Sequence, residues 1–500
     1  MCIFVRKNWR LDRLDCLFPK IIIGHKMSHE ENSFIKLDTP IENLTETTSL
    51  KWKDSSRQIT ASLIALAICI PAGINLSFSS ILLPQLYGSD DIPITKSEAS
   101  WIASLVTISL PIGTVLTGVL MDKCGRKKAN IFATIPFAVA WIVTATAQNV
   151  ETIYCARLLA GIASGLTTTA TIYISEVTHP NFRPMLLGLV SVYVSFGILL
   201  TCLLGYWCHW RTMCYIFFLL EIILFGLLFL VPESPYWLAV FKKDTIGASK
   251  SLKWIYQNPE TLNSESRRFF SVEIKKQFVQ KRFRLSSYFT PIVYKPFIIL
   301  AVLFVIQQLT GAYVIIFYAM DIFTRISHIS KSTDNEQIAL VLLGVIRFVT
   351  SVISALVSKK VGRKPLLLVS GAGMCGFSLI TAIYLYLKDG TERYDQYVPL
   401  ICILSYVCMG SIGYLLIPWT LIGELLPIEA RGKLGSFLVG LAYIYMFGVL
   451  KAFPYLLDVV SLSTIFCIFA IVNIIGICFV QYFLPETLGK RFSEIEKNFV

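Results

Sequence analysis

The chain has 500 residues, of which 55% are hydrophobic and 15% are charged. Soluble domains carry about 25% charged residues, so this composition excludes an ordinary soluble protein and predicts one that resides in a lipid bilayer. The formal net charge of +13 would also suit a nucleic-acid partner. We expect no such partner, because the cytoplasmic loops of membrane proteins are enriched in lysine and arginine.

A polar, basic segment at residues 1–57 precedes a series of apolar runs, each long enough to cross a bilayer at about 20 residues. We predict an all-α membrane protein with twelve transmembrane helices in two six-helix bundles, at residues 58–231 and 294–484. The first six runs lie near 60–83, 100–121, 130–147, 151–174, 186–206 and 211–231. The second six lie near 294–318, 338–357, 366–387, 397–422, 434–457 and 463–484.

Between the two sets of runs lies a basic insert, residues 232–293, and a short tail follows at residues 485–500. Within the insert, Leu252, Ile255 and Tyr256 recur at helical spacing, which predicts short amphipathic helices lying under the membrane. Lysine and arginine are concentrated in this insert and in the loops after the even-numbered runs. The positive side of a membrane protein faces the cytoplasm, so we expect both termini to be cytoplasmic.

The two halves repeat one charged pattern at corresponding places, which indicates internal duplication. Glycine permits a tight turn in each copy, at Gly125 and Gly362. Carboxylates and guanidiniums near these turns are expected to form ion pairs between the halves that latch the cytoplasmic side and open during a conformational cycle. The residues in question are Asp122, Arg126, Glu176 and Arg183 in the first half, and Arg363, Glu424 and Arg431 in the second.

These motifs are familiar: from about Ile59 to Phe492 the chain resembles the sugar porter family of the major facilitator superfamily. The segment from Ile94 to Trp101, together with Lys451, looks most like the insect facilitated trehalose transporters. The motifs that carry the resemblance are Asp122-Lys-Cys-Gly-Arg-Lys-Lys128, Arg157-x-x-x-Gly161, Glu176 to Arg183, Pro232-Glu-Ser-Pro235, Gln307-Gln-Leu-Thr-Gly311, Ile417-Pro-Trp419, Gly423-Glu-Leu-Leu-Pro427 to Arg431-Gly432, and Pro485-Glu-Thr-Leu-Gly489.

The resemblance implies a plasma-membrane carrier that works as a monomer, with a sugar site between the bundles near the midplane. In the family, the residues matching Gln307 and Gln308 point into the cavity, where amides both donate to and accept from hydroxyl groups. Trp419 supplies an apolar face for a sugar ring. The resemblance adds Arg157, Glu233 and Glu486 to the gating residues, and it implies no metal and no cofactor.

The chain departs from the family at several sugar-contacting positions. Relatives carry asparagine at the positions of Tyr313 and Arg347 and glutamine at that of Ser191. Tyr443 replaces the tryptophan of a common Asn-Trp pair. We count these four residues among the substrate-binding candidates and expect the transport scaffold to be kept while the sugar contacts are rewritten. Proton-coupled relatives place a carboxylate on the first span, whereas this chain has none between Arg57 and Asp90, which favours passive transport.

Two charged residues lie deep within predicted spans, where a charge is costly and usually functional. Arg347 could bind an anionic substrate or a hydroxyl cluster, pair with a buried acid, or extend along its span to water. Glu221 could partner a cation, titrate as a proton site, or face a polar neighbour in the packing.

The leading hypothesis is facilitative transport of trehalose or a hexose by alternating access. Two alternatives remain at this point. One is a carrier for a different small solute, anionic solutes included, and the other is a receptor that binds a solute without net flux. An enzyme is not expected, since the chain has no phosphate-binding loop, no nucleophile elbow and no paired-histidine metal motif.

Overall fold

The computed structural model describes residues 55–87, 91–179, 182–269, 289–327, 334–358, 360–387, 397–488, 490, 494 and 499. At positions 184, 260, 268, 334–335 and 428–432 only the backbone is described. The predicted N-terminal tail and much of the basic stretch at 270–288 therefore lie outside the described residues. The described chain is helical and contains no strand.

Twelve helices among the described residues are long and apolar enough to cross a membrane, which confirms the predicted number and order of spans. We number them as spans one to twelve. They are Ser56–Tyr87, Lys96–Cys124, Arg126–Ala145, Val150–Val177, Met185–Trp207, Trp210–Leu230, Pro291–Leu309, Glu336–Val357, Arg363–Leu387, Tyr397–Leu425, Lys433–Val459 and Leu462–Phe483.

Four of the spans are interrupted, and neighbouring helices can satisfy the backbone groups that such breaks free. Span one consists of helices Ser56–Leu66 and Cys69–Tyr87, and span four of Val150–Leu166 and Thr168–Val177. Span seven, Pro291–Leu309, is continued by helices Ala312–Phe317 and Ala319–Ser327, whereas span ten divides into Tyr397–Ile412 and Ile417–Leu425.

The remaining spans are formed by single main helices. Their bounds are Lys96–Cys124, Arg126–Ala145, Arg183–Trp207, Trp210–Leu227 with a 3-10 turn at Leu228–Leu230, Asp334–Val357, Arg363–Leu387, Ile428–Val459 and Leu462–Phe483.

The two halves meet along two pairs of spans, two against eleven and five against eight, and the helix Ala312–Phe317 packs on span one. Within the first half, spans two and four approach closely through small residues. A Cβ atom added to Gly161 would collide with the Val106 carbonyl, and one added to Gly165 would collide with the Leu110 carbonyl. The absence of side chains at these two glycines permits the close approach of the helices.

The insert between the halves forms three short helices, Pro235–Val240, Thr245–Ile255 and Pro259–Arg268. The apolar residues expected on their inner face are buried: Leu252, Ile255 and Tyr256 pack with Ala61 and Tyr173 of the first half. We call the side of the molecule that carries these helices, and on which the even-numbered spans end, the linker face, and the other side the opposite face.

Candidate functional site

The breaks in spans seven and ten lie side by side and are joined by side chains. Nε2 of Gln307 donates to the Tyr414 carbonyl at 2.6 Å, and the Tyr406 hydroxyl donates to the Thr310 carbonyl. Gly311 follows in the left-handed region at φ 82°, and a Cβ there would strike the Phe469 ring. These contacts hold two discontinuous helices of the second half together, and carriers of inverted-repeat design form their substrate sites from such discontinuous helices.

The two glutamines predicted to contact substrate have different surroundings. Both are buried. The amide nitrogen of Gln307 donates its hydrogen bond to the Tyr414 carbonyl. Nε2 of Gln308 has a weak contact to Oε1 of Gln307 at 3.5 Å, and its own oxygen, Oε1, has no hydrogen-bond partner. Because a buried acceptor without a partner is unfavourable, Gln308 is the amide that is available to a ligand.

Aromatic side chains surround Trp419 of span ten. Its ring lies 4.9 Å from the Phe304 ring and 5.4 Å from the Tyr443 ring, measured between centroids. The Trp419 indole also lies near the Tyr313 hydroxyl. The structure therefore brings together Tyr313, Trp419 and Tyr443, three of the predicted substrate residues, on a wall that suits the apolar face of a sugar ring.

Arg347, in the middle of span eight, is 5% exposed. Its charge acts on the Tyr313 hydroxyl and on the Cys202 thiol of span five, and its Nε and Nη1 atoms have no hydrogen-bond partner. Two of the four alternatives for Arg347 do not match these surroundings, namely pairing with a buried acid and extension along the span to water. Arg347 instead adjoins the aromatic cluster through Tyr313, between span five of one half and span eight of the other.

Ser191 is half-buried on span five. It shares a helical face with Cys202, the neighbour of Arg347, but stands 11 residues away in the chain, about 16 Å along the helix axis. Its place in the substrate site stays a prediction.

Arg157 is the second arginine buried within the spans, and its contacts are made with neutral groups. Nε donates to the Ile102 carbonyl at 3.2 Å, and Nη2 donates to the Ser79 hydroxyl at 2.5 Å. Nη1 contacts Oδ1 of Asn75 at 3.5 Å, and the guanidinium lies over the Phe78 ring. Arg157 thus joins spans one, two and four instead of forming a gating ion pair with a carboxylate.

Glu221, buried in span six, faces the indole of Trp141 in the same half. Neither carboxylate oxygen has a hydrogen-bond partner among the described residues, so the three alternatives raised by the sequence for this residue stay open.

At the linker face of the first half, one network joins the turn after span two to span four and the insert. Arg126 pairs with Glu176 at 2.8 Å. Glu233 accepts from the backbone N–H groups of Arg126 at 2.8 Å and Lys127 at 2.9 Å. Asp122 is 61% exposed and 3.9 Å from Arg126, so its contribution is small. Gly125 has φ 94°, as its predicted role in the turn requires.

The second half repeats this network with its own residues. Arg363 pairs with Glu424 at 2.9 Å, and the Arg363 N–H donates to Glu486 at 2.9 Å. Burial alone would raise the pKa of Glu486, but backbone N–H donors, those of Leu488 and Arg363 among them, hold it below its usual value. Gly362 is not left-handed here; its missing side chain leaves room for the Glu486 carboxylate.

The ion pairs described at the linker face do not join the two halves, so the expected latch between the halves stays a prediction. Glu176 pairs with Arg126 and Glu424 pairs with Arg363, so each described pair lies within one half. The reason is geometric. Arg126 begins span three and Glu176 lies at the end of span four, and both spans belong to the first bundle. Arg363 and Glu424 have the corresponding positions in spans nine and ten of the second bundle. Arg183 donates to the Thr178 carbonyl at 3.2 Å. The side chain of Arg431 lies outside the described residues.

Polar contacts that do join the halves gather at the opposite face, between spans two and eleven. Nζ of Lys451 donates to the Ser100 hydroxyl at 2.6 Å and lies 3.8 Å from the centroid of the Trp101 ring. Lys96 forms an ion pair with Asp458. Sequence reasoning had singled out Lys451 and Trp101 by resemblance but missed their contact. Asp458 lies two helical turns after Lys451, a spacing that would have revealed the shared face.

A cavity of about 180 Å³ also opens between the halves at the opposite face. Polar side chains from both halves line it, including Ser80 and Gln85 of span one, Tyr206 of span five and Gln337 of span eight. Its lining joins spans one and five of the first half to span eight and the helix Ala319–Ser327 of the second half.

Comparisons with known proteins agree with this architecture. The profile of the family named "Sugar (and other) transporter" matches residues 37–499. The chain is 31% identical to the facilitated trehalose transporter Tret1 of Bombyx mori over 87% of this chain and 86% of that one. It is 28% identical to the protein of the same name from Apis mellifera ligustica, over 89% of this chain and 90% of that one.

Solved structures with the same fold include a proton:xylose symporter, XylE, bound to a bromodeoxyglucose. Its TM-score is 0.72 at 21% identity, covering 89% of this chain and all of that one. The inward-open form of XylE from E. coli has a TM-score of 0.71 at 21% identity, covering 88% of this chain and 99% of that one.

Proposed function

The chain belongs to the sugar (and other) transporter family, and we propose that it carries a sugar, trehalose or a hexose, passively across the plasma membrane by alternating access. The observation that carries the proposal is the group formed by the buried Gln308 and Tyr313 and the half-buried Trp419 beside two broken helices. An amide with a free oxygen and an aromatic wall are the groups that bind a ring bearing hydroxyls.

We place the linker face in the cytoplasm, because lysine and arginine are concentrated in the loops on that side. The opposite face is then extracellular. In the present conformation its two halves are joined by Lys451 with Ser100 and by Lys96 with Asp458. These contacts would have to break before the opposite face could open between the halves.

The transport step follows from the contacts between the halves. Rocking of one half against the other breaks the contacts at the opposite face and exposes the central residues to the outside. The networks around Glu176 and Glu424 lie within single halves, so each half moves as a unit. Each contact between the halves at the opposite face contributes little to the free energy of this conformation. This is required for transport, because a large free-energy difference between the two states would stop the cycle.

Passive transport is supported by the environment of Arg157. A coupled carrier needs a group that exchanges protons between the two sides. On span one, the partners of Arg157 are Asn75 and Ser79, which are neutral and do not titrate in the physiological range. Flux is therefore expected to follow the electrochemical gradient of the solute itself, without coupling to protons.

The test is uptake of labelled trehalose and glucose in cells that lack their own sugar carriers, with and without a proton uncoupler. We expect saturable uptake that the uncoupler does not change. Uptake abolished by the uncoupler would contradict the passive mechanism, and saturable binding without uptake would show a receptor instead of a carrier.

The two glutamines provide a matched pair of variants. Gln308→Leu should raise the KM for the transported solute about tenfold, with unchanged surface expression, because a ligand contact is lost. Gln307→Leu should instead lower the melting temperature, because it breaks the contact between spans seven and ten. Equal effects of the two variants on KM and on melting would contradict this division of roles.

A further inference from the structure

No acidic side chain among the described residues balances the charge of Arg347. The guanidinium is buried, and two of its three nitrogen atoms have no hydrogen-bond partner among these residues. Its electrostatic neighbours among the described residues are Tyr313 and Cys202, an alcohol and a thiol and not carboxylates. A buried cation is stable only when it is paired and hydrogen-bonded, so something outside the described side chains is expected to complete this site.

The contrast with Arg157 excludes a packing explanation. That arginine is equally buried, yet all three of its nitrogen atoms contact backbone or side-chain oxygens of spans one and two. The fold can therefore satisfy an arginine within the membrane using neutral acceptors. At Arg347 it does not, although the side chain stands between the halves, where a transported solute passes.

Two acidic side chains of the spans, Glu221 and Asp458, could have served as a counter-charge to Arg347, but both lie elsewhere. Glu221 is buried in the first half and faces Trp141. Asp458 is half-exposed at the opposite face and pairs with Lys96. Neither acts on Arg347.

We propose that the solute of this carrier is an acidic sugar, whose carboxylate pairs with Arg347 while its ring lies against Trp419 and its hydroxyls contact Gln308. A guanidinium binds a carboxylate through two parallel N–H donors, either Nε with Nη2 or Nη1 with Nη2, and each of these pairs in Arg347 includes a nitrogen atom that has no hydrogen-bond partner among the described residues. The hydroxyls of a neutral sugar could accept these hydrogen bonds but would leave the buried charge uncompensated. This inference rests on the proposed sugar transport and names an acidic sugar, in place of a neutral one such as trehalose or glucose, as its main substrate.

The test compares two solutes that differ at one carbon, glucose and glucuronate, which carry a hydroxymethyl group and a carboxylate respectively on the same ring. The full-length protein is reconstituted in liposomes, and uptake of each labelled solute is measured. We expect kcat/KM for glucuronate to exceed that for glucose at least tenfold. An inside-positive membrane potential should drive accumulation of glucuronate and leave glucose unaffected, because only the acid carries net charge inward.

The variant Arg347→Gln should reverse the preference by reducing glucuronate transport at least tenfold while glucose transport is kept or raised. Arg347→Lys, which retains the charge but not the paired donors, should keep part of the preference. Ser80→Ala, in the cavity at the opposite face, is the control and should leave the ratio unchanged.

The outcomes separate the two proposals. Transport of glucose in preference to glucuronate, with a ratio that Arg347→Gln does not alter, would overturn the acidic substrate and leave sugar transport standing. A liposome preparation that transports neither these sugars nor trehalose would overturn the proposed function and the substrate class with it. If Arg347→Gln does not fold, the preference and the voltage response of the wild-type protein decide the matter.

Discussion

The two faces of the molecule use charge in different ways. At the linker face, the ion pairs Arg126–Glu176 and Arg363–Glu424 are each confined to one half and mostly buried. At the opposite face, Lys451 with Ser100 and Lys96 with Asp458 connect one half to the other and are more exposed. Buried contacts within a half contribute to its rigidity, whereas exposed contacts between halves can break and reform at small cost.

The difference indicates which contacts set stability and which set conformation. If the duplicated motif serves the integrity of each half, its loss should lower the free energy of unfolding. If the contacts at the opposite face serve as the gate, their loss should change the populations of the two states of the carrier and leave stability nearly unaltered.

The largest effect is expected from Glu176→Ala. It leaves Arg126, which is 6% exposed, without its carboxylate, and loss of one partner of a buried pair costs about 3 kcal/mol. Glu424→Ala removes a more exposed carboxylate, since Arg363 and Glu424 are 16% and 29% exposed, so its cost should be about 2 kcal/mol. Thermal unfolding of the purified protein in detergent measures both.

The order of these two losses is the informative part. If Glu424→Ala lowers the melting temperature more than Glu176→Ala does, burial does not govern the strength of the two networks. Glu424→Gln is the control for side-chain volume and should fall between wild type and alanine.

The next largest effect should come from Lys451→Met, which removes the 2.6 Å contact to Ser100 and the stacking on Trp101. A half-exposed charged contact of this kind is worth about 1 kcal/mol, or roughly a fivefold change in the ratio of the two states. Hydrogen exchange at the opposite-face ends of spans two and eleven should rise.

Lys451→Arg keeps the charge and should behave as wild type. A melting temperature lowered as much as in Glu176→Ala, with no change in exchange, would show that Lys451 supports folding and not the gate.

A smaller effect is expected for Lys96→Gln. Lys96 and Asp458 are 36% and 54% exposed, and exposed ion pairs contribute about 0–1 kcal/mol. Exchange at the same helix ends should rise by less than twofold, and raising the salt concentration should reduce the difference between this variant and wild type. A larger effect than that of Lys451→Met would reverse the assignment of the main gate contact.

The smallest effect is expected for the energetic coupling between the two linker-face networks, which is the difference between the stability loss of the double variant and the sum of the two single losses. Because the halves share no described ion pair there, the losses in Glu176→Ala and Glu424→Ala should add within about 0.5 kcal/mol in the double variant. A coupling well above that value would support the idea that the duplicated motifs latch the two halves together.

The span number and the linker helices could be predicted because each has a strong local signal. An apolar run of the right length can form little besides a membrane helix, and Leu252, Ile255 and Tyr256 face the first half at the spacing that the sequence shows. The breaks at Gly311 and before Pro418 are likewise visible as residues that disturb a helix.

Partner choice could not be predicted in the same way. Glu176 stands seven residues before Arg183 in the sequence, but its partner is Arg126, 50 positions earlier. Proximity in the chain was a poor guide because the spans return to the same face at long intervals. The different surroundings of Gln307 and Gln308 also depend on the turn at Tyr414, whose carbonyl faces span seven only after the fold is complete.

The insert helices have a mechanical consequence. Tyr173 donates to the Pro232 carbonyl at 2.9 Å, and the Ser251 hydroxyl donates to the Glu233 carbonyl at 2.6 Å, so this subdomain is fastened to the first bundle. It must then travel with that bundle whenever the carrier changes shape. A fluorescent group placed on the exposed Lys253 would report rotation of one rigid body in real time without touching the solute pathway.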